Sequence, residues 1–196
     1  MKTIIFDVGD VVTTGDFDIT YRRLESHGVS SHKARKFFHN EDYLAFSRGE
    51  IGSKAFHEAL VRHLGTQLTY DQVVEAHDIH MTGIDQEVVA VLDKLPIESI
   101  VFATDTNEWQ TKKEKELIDL IAYTDRIFRS HEIGMLKIDP GCFPYIITCL
   151  GKNPSELFFI DNNPKKTKMA EKCGIQSHVF TTGAKLREWL MSKELL

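Results

Sequence analysis

Asp7 closes an apolar run, KTIIFDV, and is followed at once by Gly9 and Asp10. A carboxylate at a strand end can attack phosphorus in line and form an aspartyl-phosphate, which divides one hard hydrolysis into two easier steps. Phosphate oxygens must be met by donors and cations, a task that suits the hydroxyl of Thr104, main-chain N–H groups and the ammonium of Lys137. Asp105, beside Thr104, is a further candidate for substrate binding. Lys137 would also hold Asp7 ionised. Magnesium prefers oxygen ligands and keeps several waters, so the carboxylates of Asp7 and Asp161 with the substrate suffice to bind it. Each residue has a plainer reading as well. Asp7 and Asp161 can cap turns, Asp105 or Asn107 can cap a helix, Thr104 can end a strand, and Lys137 can be a loop lysine.

These residues need elements that bring them together. Lys2–Val8 is β-rich and stops at Gly9. From Asp16 to about Met81 the apolar spacing is helical, as in YLAFSRGEIGSKAFHEALVRHLG. A helix over 85–95 ends at Pro96, and the compact apolar run SIVFA follows it. The alternation then continues: helix 108–122, strand 126–128, helix 143–150, strand 157–160, helix 165–173, strand 177–180 and helix 184–193. Strands separated by single helices imply an α/β fold, a Rossmann-like parallel sheet with helices on both faces. The helical block is then a small inserted cap over residues 15–84, and the core is 1–14 with 85–196. In such a sheet ligands gather at the carboxyl ends of the strands, where Asp7, Thr104, Asp105, Asn107, Lys137, Asp161 and Asn162 fall.

Four strand-end motifs occur in one order: FDVGDVV at Phe6–Val12, ATDTN at Ala103–Asn107, GMLKIDP at Gly134–Pro140 and FFIDNN at Phe158–Asn163. Together they resemble the haloacid dehalogenase superfamily across nearly the whole chain. SRGEI at Ser47–Ile51 resembles the small helical cap of its sugar-phosphatase-like members. The resemblance implies a magnesium-dependent phosphomonoesterase acting on a small phosphorylated metabolite. It also implies that the main-chain carbonyl of Gly9 is the third protein ligand of the metal.

The departures from that pattern are specific. Family phosphatases usually carry an acid-base aspartate where this chain has Gly9, and such groups contribute about 10²- to 10⁴-fold. Some small-cap members resembling this chain also carry glycine there. Asp10 is one residue further on, and a one-residue shift in an extended segment turns its side chain to the opposite side. A second acid usually stands just before, or four residues after, the metal aspartate; here those places are Ile160 and Lys165, and Lys165 would supply positive charge instead. Two alternatives stay open: a weak or inactive fold that binds a phosphorylated ligand or a protein partner, and carbon–halogen hydrolysis by the same aspartate.

The remaining features are bland. The formal charge of -5 gives no electrostatic footprint for nucleic acid or an acidic membrane. The short apolar start is too brief for a signal or spanning segment, and the expected location is the cytoplasm. Cys142, Cys149 and Cys173 suggest reduced thiols, with Cys142 and Cys149 packed on one helical face. His77, Asp78 and His80 lack a metal-ligand pattern and read as core or surface residues. The run Lys112–Glu116 reads as a solvated helix face, and Phe37, Phe38, Tyr43 and Phe46 as the core of the cap. Oligomeric state is left open.

Overall fold

The computed structural model describes residues 2–196. In its first strand, β1 (Thr3–Phe6), every residue is buried, as expected for a central strand covered on both faces. β1 continues into a short strand β2 (Thr13–Gly15) and then the helical insert: α1 (Phe17–Ser26), α2 (Ser31–Ala34), α3 (Glu41–Ser47), α4 (Ser53–Leu64) and α5 (Tyr70–Asp78). β3 (Met81–Ile84) leads back to α6 (Gln86–Leu92) and β4 (Ile100–Thr104). The rest alternates as α7 (Glu108–Leu117), β5 (Ile127–Arg129), α8 (Ser130–Ile133), α9 (Cys142–Leu150), β6 (Leu157–Asp161), α10 (Pro164–Lys172), β7 (Gln176–Val179) and α11 (Gly183–Ser192).

The main sheet runs β5-β4-β1-β6-β7, and all its pairings are parallel. β1 lies in the middle, because the chain winds outward to one edge through β4 and β5 and then crosses back to β6. That reversal opens a crevice beyond the carboxyl ends of β1 and β6. Alternate residues of β1 serve the two faces: Ile4 and Phe6 pack with Val88, Leu92, Leu186 and Leu190, and Ile5 packs with Phe143, Ile146 and Phe159. The α/β sheet with helices on both faces is therefore as the sequence implies.

The insert has its own core. Phe37, Phe38, Phe46, Phe56 and Leu60 form it, and Trp109 of α7 enters the same cluster, with its indole N–H donating to the Tyr70 hydroxyl at 2.7 Å. β2 and β3 pair antiparallel, Thr13 with Ile84 and Thr14 with Gly83, and make a two-stranded stem across the expected boundary. The sequence reading leaves both as loop, since TTG and MTGI are too short to show a period. Two other expectations are corrected. Glu114 is buried and paired with Arg129 at 3.2 Å, so the charged run on α7 is solvated on one side only. Cys149 is exposed while Cys142 is buried. Seven residues drift by about 20° around a helix, and Cys149 lies in the last turn of α9.

Cap and core also meet at the SRG turn after α3. The Ser130 hydroxyl donates to the Ser47 carbonyl at 2.6 Å. The Arg48 guanidinium donates twice to the Asp139 carboxylate, both at 2.9 Å. Gly49 between them has φ +71°, and a Cβ there would lie 2.2 Å from the His131 carbonyl oxygen. Gly28 has φ +83° but open space around it. Gly28→Ala is therefore expected to lower stability by only the left-handed cost, about 1–2 kcal/mol. Gly49→Ala adds a backbone clash and should cost clearly more; urea midpoints of the two variants compare them, and equal losses would refute the close approach.

Candidate functional site

Three strand ends and the loop after α8 deliver the site. The Asp7 N–H donates to the Ile160 carbonyl at 2.8 Å, which extends the sheet by one residue and sets Asp7 beside Asp161. Lys137, from the loop after α8, lies between them: its Nζ is 2.5 Å from Asp7 Oδ1 and 2.8 Å from Asp161 Oδ2. Its third bond goes to the Ala103 carbonyl at 3.1 Å. Asp7 Oδ1 also accepts the Val8 N–H at 2.7 Å. The named contacts of Asp7 thus fall on Oδ1 and leave Oδ2 as the oxygen able to attack.

Asp7, Gly9, Asp10, Asp105, Asn162 and Lys166 line a cavity of about 500 Å³, whose outer wall comes from Phe17, Phe38, Tyr43 and His80 of the insert. Phe38 and Tyr43 therefore serve both the cap core and the pocket. His77 and His80 are buried, and burial pushes the His80 imidazole down to about 4, so that wall is uncharged near neutrality. Thr104, Lys137 and Asp161 are buried at the floor and do not line the cavity. Asp105 spends both oxygens on lysines: Oδ1 accepts the Lys137 N–H at 2.8 Å, and Oδ2 is 2.9 Å from Lys166 Nζ. Asn107 caps α7 by accepting the Gln110 N–H at 3.0 Å and donates to the Tyr43 hydroxyl at 3.3 Å.

Two expectations about charge change. Asp10 does line the cavity, because its φ of +55° breaks the alternation of an extended chain. Aspartate tolerates that left-handed region better than most residues. Burial, opposed by the Gly15 N–H and by Lys166, pushes its carboxyl above the usual value. The lysine of α10 that lines the cavity is Lys166, whereas Lys165 is exposed. Pro164 opens α10 and Asn163 caps it, and the phase of that first turn aims Lys166 inward. Sequence reasoning missed Lys166, since two adjacent lysines cannot be ranked without the helix phase.

Comparisons with known proteins extend over nearly the whole chain. No family model matches. A curated D-ribitol-5-phosphate phosphatase from Bacteroides thetaiotaomicron is 22% identical, with 97% of each chain covered. A HAD family enzyme from the same organism, solved with magnesium and inorganic phosphate, has TM-score 0.83 at 21% identity, covering 93% of this chain and 96% of that one. A HAD-like family hydrolase from Porphyromonas gingivalis has TM-score 0.81 at 22% identity, covering 97% and 98%. The chain shares the fold of these enzymes.

The available donors are oxygens: the Asp7 and Asp161 carboxylates and the Gly9 carbonyl. No group of three His, Cys, Asp or Glu side chains converges as a metal cage among the described residues. That set suits a hard ion held by one or two carboxylates, a main-chain carbonyl and substrate oxygens. No helix among the described residues is long and apolar enough to cross a membrane.

Burial, then repulsion by Asp161, pushes the Asp7 carboxyl up to about 7, against the pull of Lys137 and Lys166. Lys137 therefore favours the ionised form as expected but is outweighed. For Asp161, burial is more than offset by Lys137, Lys166 and the Asn163 N–H, which hold it below the usual range. For Lys166, burial acts downward but Asp105, Asp7 and Asp161 raise it above an ordinary lysine. Native Asp7 holds its proton more tightly than the unfolded chain, so stability is present at low pH and is lost as pH rises from the unfolded value of 3.8 through about 7. In metal-free buffer, Asp7→Asn should melt above the wild type at about pH 8, with the gap narrowing by about pH 5. A gap that does not change with pH would refute this assignment.

Proposed function

We propose that the chain is a magnesium-dependent phosphomonoester hydrolase acting on a small phosphorylated metabolite, a sugar or sugar-alcohol phosphate, through an aspartyl-phosphate on Asp7. The carrying observation is the state of Asp7: Oδ1 is tied by Val8 and Lys137, and the residue opens on a cavity at the point where the sheet reverses. Asp7 Oδ2 attacks phosphorus as the bond to the leaving oxygen breaks, and that oxygen takes up a proton. Water then attacks the same phosphorus, releasing inorganic phosphate and regenerating the carboxylate. Lys137 holds Asp7 and Asp161 in place while charge is redistributed, and Thr104, at the end of β4, is buried in the floor beneath the phosphate. Asp7, Asp161 and the Gly9 carbonyl would hold magnesium, which when bound would supply neutralisation of the phosphoryl oxygens.

Residues 15–84 act as a cap over the core of 1–14 and 85–196, excluding water and selecting the leaving group. The pocket wall of Phe38, Tyr43 and uncharged His80 suits a neutral, hydroxyl-bearing group. A curated relative with this fold and length is a D-ribitol-5-phosphate phosphatase, which supports that class.

The test is phosphate release from a panel of sugar and sugar-alcohol phosphates and an aryl phosphate, with and without magnesium. Hydrolysis should require the metal and vanish in Asp7→Asn; activity retained in that variant, or under full chelation, would overturn the mechanism. Gly9 supplies no acid for the leaving oxygen, and a Cβ built there meets nothing within 4 Å. Gly9→Asp is therefore expected to fold and to speed alkyl phosphate hydrolysis by about 10-fold or more, with less gain on an aryl phosphate whose leaving group needs no proton. An equal gain on both, or none, would show that position 9 does not limit turnover.

A further inference from the structure

The two lysines of the site are in different states. Lys137 is 1% exposed, and its three ammonium hydrogens are matched by three acceptors: Asp7, Asp161 and the Ala103 carbonyl. It lies below the cavity. Lys166 lines the cavity beside Asp7, its side chain is 18% exposed, and its one acceptor at bonding distance is Asp105 Oδ2 at 2.9 Å. A lysine ammonium has three N–H donors, so two remain for a ligand. Asp105 cannot turn away to follow another partner, because its other oxygen accepts the Lys137 N–H. The ammonium is therefore held at the cavity wall by a fixed anchor.

The charge balance points the same way. Asp7, Asp10, Asp105 and Asp161 carry four formal negative charges against two from Lys137 and Lys166. A phosphate entering over Asp7 meets a field of its own sign unless a cation with unused donors faces it, and Lys166 is the lysine that lines this cavity.

We propose that Lys166 is a phosphate-contacting cation of this site, donating to a non-bridging oxygen from the cavity wall, above the Lys137 ammonium that binds the two aspartates together. This deepens the phosphohydrolase reading, on which it rests, by assigning the phosphate grip to a side chain in the first turn of α10. Because the contact is direct, it operates with or without magnesium.

The probe is inorganic phosphate, titrated by calorimetry into wild type, Lys166→Met and Lys166→Arg, each with and without magnesium, with thermal melting as the folding control. Lys166→Met should bind phosphate about 10- to 100-fold more weakly in both buffers, as expected for a lost charged hydrogen bond. Lys166→Arg should retain most of the affinity. Unchanged affinity in a folded Lys166→Met, or a loss seen only with magnesium, would overturn the assignment. Where Lys166→Met does not fold, the wild type labelled with 15N-lysine decides: the Lys166 ammonium resonance, identified by its absence in Lys166→Arg, should shift on adding phosphate, and a static resonance refutes direct contact. The phosphohydrolase reading is tested separately by turnover. Active wild type with phosphate binding indifferent to Lys166 sinks this inference alone, whereas Lys166-dependent phosphate binding without turnover sinks the catalytic reading alone.

Discussion

The site depends on one ammonium placed between two buried carboxylates. Parallel pairing of β1 with β6 carries Asp7 and Asp161 to adjacent strand ends, where two negative charges in a dry floor would repel each other. Lys137 reaches both and closes on the Ala103 carbonyl of β4, so a single side chain joins the ends of three strands. Removing the Lys137 ammonium from such a buried cluster leaves uncompensated charge, at a cost of about 3–5 kcal/mol. The same cluster leaves Asp7 with a carboxyl raised by burial and by Asp161. Stability is given up at the atom where reactivity is needed.

The loop that carries Lys137 is secured from the insert. Asp139 accepts the Leu136 N–H at 2.8 Å and receives the paired bonds of Arg48, and Asp105 accepts the Lys137 N–H. The N–H groups of Leu136 and of the lysine itself are thus held by two carboxylates, one tied to Arg48 of the insert and one tied to Lys166. Cap placement and the position of the central ammonium are mechanically linked through the SRG turn. Trp109 and the Asn107–Tyr43 bond make a second connection from α7, so the pocket wall is set by contacts on both sides of the β2–β3 stem.

Much of this was legible in the sequence. The α/β alternation, the helical insert, the strand-end positions of Asp7 and Asp161 and the arrival of Lys137 in the following loop follow from period, length and order, because a parallel sheet forces its strand ends to one edge. The absence of an acid at position 9 is also a matter of sequence alone. The order of motifs carried the family resemblance without any coordinates.

Tertiary structure decided which groups face the cavity, because that depends on angles that local pattern does not encode. A positive φ at Asp10 reverses the side predicted by strand alternation. The phase of the first turn of α10 selects Lys166 over Lys165. The inward stripe of α7 takes Glu114 out of an apparently solvated run to meet Arg129. The short stem of β2 and β3 exists only because each supplies the other's hydrogen bonds. Sequence determined the candidate nucleophile, its strand and its missing neighbour; the folded chain decided which lysine holds the aspartates and which one is left with donors to spare, since only three-dimensional packing assigns an ammonium its acceptors.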